Sequence, residues 1–360
     1  ILGGGLAGLA LAHNLFEKSE FSPSLHITIY DVAPVGQGGA SSVAGGLLHP
    51  LSPRGKLVHW GLEGLASGSR LVRSASRWTP QCVLRDRLYR VALTEDNVDT
   101  LKALETHDTT VTTNGMFRWI ERDEIEALLG CPHSLGGLEL SQGCCVLHVP
   151  SYLDGLYKAC QQMGSIQWKI TTDPIPPEEL ASYSAFIFAA GAGMLQKGIL
   201  DQSSFPVNIV RGQSLVLKSE GSPLLSEALL CGKYISPMLD TDNAILVGAS
   251  HEFGINPMSQ DLLYQELKEK SYNLAPQLWD NSYVEKVTCG YRVQSKRGNL
   301  GRTPIVGHLK DNLWIFTGLS SRGLLYHGIY AEKLSDMILS SDYGKKVRDT
   351  HPYLDWWRNR

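Results

Sequence analysis

The sequence has almost no excess of charge: 33 lysines and arginines stand against 36 aspartates and glutamates, a formal net charge of −3. Nothing therefore draws the chain as a whole to nucleic acid or to an acidic membrane, and any basic surface must be local. No apolar run approaches the ~18 uncharged residues of a spanning helix, and no signal-peptide n-region is present. The cysteines (Cys82, Cys131, Cys144, Cys145, Cys160, Cys231, Cys289) are odd in number, contain no C-x-x-C pair and lie where apolar residues would serve. Reduced core thiols in a reducing compartment are expected. No spacing suits a metal, so no metal ligand is expected; no Ser-His-Asp arrangement can be read, and there is no internal repeat. The chain is expected to be soluble and not to insert into a membrane. Ile1-Leu2 reads as the end of a strand whose beginning is missing. A truncated N-terminus is expected, which leaves room for a transit peptide and keeps cytoplasm and organelle stroma both open.

What is present is an ordinary globular composition. The 360 residues, 43% hydrophobic and 19% charged, can bury a sizeable core as two domains or one two-part fold. The opening reads strand, glycine turn, helix, strand: Ile1-Leu2, then Gly3 to Gly8, then Leu6, Leu9, His13 and Phe16 at helical spacing, then alternating Leu25, Ile27 and Ile29 up to Asp31. A Gly/Ser/Pro-rich stretch over 33–55 leads to a helix expected over 57–78, and 83–147 reads as short strands alternating with turns. Further helices are expected over 150–163, 260–274 and 323–339, and strands over 166–170, 185–190, 214–217, 244–247 and 313–317. Strands suited to a parallel nucleotide-binding sheet thus recur at the start, middle and end. The expected fold is α/β: a Rossmann-like cofactor domain (1–78, 148–200 and 296–343) interleaved with a substrate domain of mixed β-sheet plus helices (79–147 and 201–295), then a tail over 344–360.

Gly3-x-Gly5-x-x-Gly8 follows a strand and opens a helix, and Asp31 ends the next strand. Gly3 allows a tight turn, Gly5 lets backbone approach a pyrophosphate, Gly8 lets helix and strand pack closely, and Asp31 is placed to hold ribose hydroxyls. In that order they form a dinucleotide fingerprint rather than a structural turn. The acid disfavours NADP but does not separate NAD from FAD. Two segments bear on that choice. In Gly39-Ala40-Ser41-Ser42 the serines serve either as turn residues or as cofactor contacts. Gly318-Leu319-Ser320-Ser321-Arg322-Gly323-Leu324 opens the last helix, whose N-terminus suits a flavin's pyrimidine edge, where negative charge accumulates on reduction.

These segments, with Gly39 to Pro50, His148-Val149-Pro150, Phe186 to Gly193, Val210-Arg211-Gly212-Gln213, Tyr234-Ile235-Ser236-Pro237, Val247-Gly248-Ala249, Gly290-Tyr291-Arg292 and Pro304-Ile305-Val306-Gly307, resemble the D-amino-acid-oxidase-like family of FAD-dependent oxidases. That family includes glycine oxidase and sarcosine oxidase, and the resemblance covers nearly the whole chain. It implies FAD held by Gly3, Gly5, Leu6, Ala7, Gly8, Asp31, Ser41, Ser42, Leu47, Ala190, Gly191, Gly318, Ser321, Arg322, Gly323 and Leu324. It also implies that Arg292 binds a substrate carboxylate with help from the Tyr234 hydroxyl, roles that suit a bidentate guanidinium and a directed phenol. On the residues alone, Arg292 in a surface ion pair and Tyr234 as a half-buried strand aromatic stay open. His49 is either a hydrogen-bonded loop histidine or a group near the flavin that tunes charge or takes a proton.

Within the family, the Gly318 and Gly39 motifs are most similar to the oxidase domain of the bacterial wobble-uridine modification enzyme, which removes a carboxymethyl group from an aminomethyluridine in tRNA. Glycine oxidase carries the arginine of the last motif one residue earlier, where Ser321 stands here, so Arg322 is expected to point elsewhere. The family's Asp-Gly-x-Pro after the carboxylate arginine is altered over 296–304. The expected reaction is oxidation of an amine with a glycine-like arm to an imine, which water hydrolyses to an amine and glyoxylate. Three roles stay open: an oxidase of modified tRNA uridine, an oxidase of a free amino acid, and a flavin-bearing structural or assembly subunit. Arg70-x-x-Arg73-x-x-x-Arg77, the group Arg85, Arg87 and Arg90, and Lys345-Lys346-x-Arg348 are read as phosphate contacts or as solvated faces. Tyr353-Leu354-Asp355-Trp356-Trp357 either docks a protein partner or packs back on its own domain.

Overall fold

The opening helix, Leu6–Lys18, buries every residue from Leu6 to Phe16, because it is walled by Val149–Met163 on one flank and by the last helix, Gly323–Ser340, on another. In this computed structural model residues 1–19, 24–108, 115–219, 221, 225–239, 243–254, 256–340, 354 and 356–358 are described. Leu2 forms parallel bridges to Tyr30 and to Phe188, so the two residues before the glycine turn occupy the middle of a sheet. Its order is Ser165–Ile170, His26–Asp31, Leu2, Phe186–Phe188, Leu313–Thr317, Ile305–Lys310, parallel except for the last pair. Strands buried on both faces carry continuous apolar runs, as Phe186, Ile187 and Phe188 do. That strand is shorter than expected because the chain turns at Gly191, whose φ is 54°.

The second sheet has nine strands. Its spine is the antiparallel pair Val207–Lys218 and Tyr283–Ser295, in a register that sets Val210 opposite Arg292 and Gly212 opposite Gly290. Ala244–Gly248, Lys233–Pro237, Leu229–Cys231, Leu88–Val91, Gly137–Leu140 and Phe117–Ile120 extend it, and Glu252–Phe253 pairs with Val210 and Arg211. The helix Gln260–Ser271 buries Leu263 and Leu267 against it. Between the sheets, Leu47–Leu48 pairs with Cys145–Leu147.

Three expectations change. The stretch 83–147 holds two helices, Glu95–Asp108 and Arg122–Leu129; each buries only a pair of apolar residues, Leu101 with Leu104 and Ile125 with Leu129, too few to stand out as a helical stripe. The helix expected over 57–78 starts at Gly61, after Trp60 turns left-handed at φ 51°. Cys289 is exposed and Cys231 partly so, while the other five cysteines are buried; none forms a disulfide.

The tail is not a free docking surface where it is described. Leu354 and Trp357 are buried, and the indole N–H groups of Trp356 and Trp357 donate to Pro304 O (3.2 Å) and Val306 O (3.1 Å). Tyr353, Asp355 and the Lys345-Lys346-x-Arg348 cluster lie outside the described residues. No helix among the described residues is long and apolar enough to cross a membrane. Truncating Trp357 to alanine should cost about 3 kcal/mol, read as a lower midpoint in urea unfolding; an unchanged midpoint would show that the tail contributes nothing to the core.

Candidate active site

The glycine turn is held by close contacts that exclude side chains. A Cβ on Gly8 would lie 1.9 Å from Gly3 O, and one on Gly3, at φ 104°, would lie 2.4 Å from Ala190 Cα. The first helix can therefore sit directly on the central strand, which aims its N-terminus over the strand ends. Gly5 gives that N-terminus no side-chain cap, and Ser41 Oγ reaches only the Leu6 N–H, at 3.4 Å. Uncapped N–H donors at a helix N-terminus form an anion site. Asp31 accepts from Gly4 N at 2.7 Å and from Ala33 N at 3.1 Å, tying the second strand to the turn while keeping lone pairs for a ribose hydroxyl. The last helix converges on the same place, since a Cβ on Gly323 would lie 2.8 Å from Leu6 Cδ1. These residues fit a dinucleotide: Gly3, Gly5, Ala190 and Gly191 as backbone walls, Leu6, Ala7 and Gly8 as N–H donors, Asp31 and Ser41 as side-chain contacts.

Other expected cofactor residues fall around this groove with different roles. Ser42 Oγ donates to Gly39 O at 2.9 Å, which is turn chemistry. Leu324 is buried in the core, so only its backbone is available; Leu47 is half-buried and Ser321 is exposed. Gly318, at φ 73°, turns the chain so that Ser320 N donates to Val293 O at 3.0 Å. That bond fastens the start of the last helix to the strand carrying Arg292. The importance of Gly4 was not read from sequence: a Cβ there would lie 1.9 Å from Trp168 Cη2.

On the second sheet a row of small residues makes room for two large ones. Tyr234, Gly248, Ser214 and Thr288 lie opposite one another across four strands, and directly opposed residues share a face. Because Gly248 has no side chain, the Tyr234 hydroxyl spans it and meets Ser214 Oγ at 3.0 Å. Gly45 packs on the other side of the ring, where a Cβ would lie 2.7 Å from Tyr234 Cζ. Two residues along the same strand, Gly212 leaves space for the Arg292 guanidinium, 3.3 Å from where its Cβ would be. Arg292 and Tyr234 feel each other electrostatically; burial raises the phenol's pKa and lowers the guanidinium's. Arg292 is half-buried and makes no ion pair among the described residues. Gly45, Gly212, Ser214 and Gly248 were missed as site residues; a glycine inside a strand is the signal that could have found Gly212.

Arg322 acts electrostatically on His49. The ring Nδ1 of His49 accepts from Leu51 N at 3.2 Å, and burial, then Arg90, then Arg322, push its pKa down to about 3. It is therefore neutral near pH 7 and a weak base there. Arg322 also lacks a side-chain partner among the described residues and lies within reach of Arg302 and Arg297. The site is thus rich in cations in a chain of negative net charge. Arg70 is not part of it: Glu17, Glu332 and Asn14 hold its guanidinium. Arg85 is spent on the carbonyls of Ser226 and Leu84, and Arg90 is buried rather than displayed. The described residues include no group of three potential metal ligands. A cavity of about 450 Å³ at Ala181–Ser184, Asp311 and Asn312 contains none of these residues.

A family model described as FAD dependent oxidoreductase matches residues 1–337. The chain is 27% identical over 213 residues to the tRNA 5-methylaminomethyl-2-thiouridine biosynthesis bifunctional protein of Leptospira borgpetersenii, covering 50% of this chain and 31% of that one. It is 22% identical over 366 residues to the protein of the same name in Marinobacter nauticus, covering 94% and 55%. The chain thus spans about half or less of these relatives' lengths. Among solved structures, glycine oxidase from Geobacillus kaustophilus superposes with a TM-score of 0.72 at 20% identity over 97% of this chain and 96% of that one. Iminodiacetate oxidase from Chelativorans sp. superposes with a TM-score of 0.73 at 16% identity over 97% of each.

Gly4→Ala should drive Trp168 off the turn and leave purified protein with about a tenth or less of its bound flavin, read as the ratio of flavin to protein absorbance; full retention would show that the turn tolerates a side chain. A second expectation concerns acid stability. Burial lowers the pKa of His13 and His327 to about 4 from 6.5. The unfolded chain then takes up protons below pH 6.5 that the fold refuses, so this stability is intact above pH 6.5 and is lost as pH falls toward 4. Each histidine should contribute a slope of about 1.4 kcal/mol per pH unit, measured by urea titration across pH 4–7.

Proposed function

The chain belongs to the FAD dependent oxidoreductase family, and from that premise we propose that it oxidises the C–N bond of an amine bearing a carboxymethyl arm, removing that arm from a modified wobble uridine of tRNA. The observation that carries this reading is the Arg292 guanidinium, half-buried beside Tyr234 and without an ion pair among the described residues. A partly desolvated cation without a counter-ion suits a carboxylate, which it can grip bidentately. Bound FAD supplies the acceptor for the hydride that leaves the carbon next to the amine nitrogen.

The chain's own residues orient and select. Arg292 holds the carboxylate, and Tyr234, kept protonated by burial and anchored by Ser214, donates a second bond to it. The strand under them is fastened to the last helix through Ser320, so the carboxylate grip and the cofactor groove keep one spacing. The amine must be neutral before its carbon can release a hydride. Neither His49 nor Tyr234 takes that proton near neutral pH, since one pKa is too low and the other is raised. The rate should therefore follow the amine's own titration. Water then hydrolyses the imine to the shortened amine and glyoxylate.

Three observations favour a tRNA uridine over a free amino acid. The relatives in Leptospira and Marinobacter are named for tRNA 5-methylaminomethyl-2-thiouridine biosynthesis. The site holds more unpaired cations than one carboxylate needs. Phe253, 63% exposed, lies across Val210 from Arg292 on the same sheet face, with His251 edge-on at 5.6 Å; a heterocycle can stack there.

Anaerobic mixing tests the reading. Loss of the oxidised-flavin band is expected with tRNA carrying carboxymethylaminomethyluridine and not with glycine, sarcosine or D-alanine. Bleaching by a free amino acid would move the enzyme to that substrate class, and a protein that none of them reduces would refute the reaction. Arg292→Met should lower kcat/KM roughly 10- to 100-fold, mainly through KM, as expected for loss of charge-assisted bonds, with flavin content unchanged. Tyr234→Phe should cost about tenfold or less.

A further inference from the structure

Arg90, on the strand Leu88–Val91, is only 8% exposed. Its guanidinium donates to Pro53 O and has no carboxylate partner among the described residues. Cys231, whose thiol burial keeps protonated, and the neutral His49 bear on it, and neither supplies a negative charge. A buried cation without a counter-ion is costly unless an anion visits it. Arg90 opens onto a cavity of about 360 Å³ that Arg54, Thr94, Asn97, Thr100 and Lys270 also line, within the size range of small-molecule sites. No aspartate or glutamate lines it. Lys270 is held by Glu266 at 2.9 Å; Glu95 and Asp96 are exposed and are not among the lining residues.

The helix Glu95–Asp108 begins at the cavity wall: Asn97 N donates to Thr94 O at 3.0 Å, and both residues line the space. Two guanidiniums, two hydroxyls and a side-chain amide offer more donors than one carboxylate can use, and they suit the oxygens of a phosphate. The chain itself connects the cavity to the amine site. His49 feels both Arg90 and Arg322, and one loop runs from Gly45, under Tyr234, through His49 to Pro53 and Arg54.

We propose that this cavity is a phosphate-binding subsite that holds a backbone phosphate beside the modified uridine while Arg292 grips the carboxymethyl arm. The inference rests on the tRNA reading above, and its test measures binding alone, so its failure is separate from a failure of catalysis.

The flavin-loaded protein is titrated calorimetrically with an anticodon stem–loop lacking the carboxymethylaminomethyl group, and separately with uridine 5′-monophosphate and with uridine. Arg54→Ala changes an exposed residue, and Arg90→Met is used only where flavin content shows that it folds. Both should weaken the stem–loop by about tenfold or more and make the dependence of log K on log salt shallower by about one charge each. Monophosphate binding that exceeds uridine binding and is lost in Arg54→Ala supports the subsite. Stem–loop binding at parental strength in both variants would overturn it. Monophosphate binding with no stem–loop binding would overturn the assignment to a tRNA phosphate and leave a free phosphorylated ligand.

Discussion

The approach of Gly8 to the carbonyl of Gly3 is the contact on which the rest of the molecule depends. Only because neither residue carries a side chain can the first helix lie against the strand that precedes it, and only in that position does its uncapped N-terminus face the groove. The helix is then clamped by its neighbours: Gly323 brings the last helix in at Leu6, and Val149–Met163 closes the opposite flank. A parallel sheet needs both faces covered, and these helices supply one of them. The cofactor groove is thus a product of packing before it is a product of chemistry.

The same device is repeated on the second sheet with a different outcome. There Gly212 and Gly248 remove side chains from a face that would otherwise be filled, and Arg292 and Tyr234 lie over the space. In the turn, missing side chains bring helix and strand backbone together; in the sheet, they let long polar side chains lie flat over strands and meet. Ser320 connects the two constructions through its bond to Val293, so the groove and the substrate-facing row cannot drift independently.

Charge is distributed against the average. A protein with a net charge of −3 brings Arg90 and Arg322 to bear on His49 and Arg292 and Arg302 on His251, and burial first, then these cations, lowers the basicity of both histidines. Neutral His49 among arginines preserves the cations for anionic ligands instead of adding another positive charge. Arginine suits this use, because burial lowers its pKa without discharging it.

Much of the architecture was legible along the chain because it rests on local rules. The glycine turn, the helix after it and Asp31 follow from spacing, and the strands around Phe186 and Leu313 from continuous apolar runs. Glu95–Asp108 and Arg122–Leu129 were not legible, since each buries too few apolar residues to mark a period. Of the site, the sequence determined the Gly3 turn as a candidate pyrophosphate cradle, through glycine's freedom and spacing, while Arg292 and Tyr234 were singled out through resemblance to the family and their side-chain chemistry left other roles open. Only the tertiary structure decided that Arg292 has no counter-ion among the described residues, that Arg70 is taken by Glu17 and Glu332, that Arg90 is buried over a cavity and that burial lowers the pKa of His49. Pairing and burial depend on which distant segments arrive at the same place, and no spacing along the chain records that.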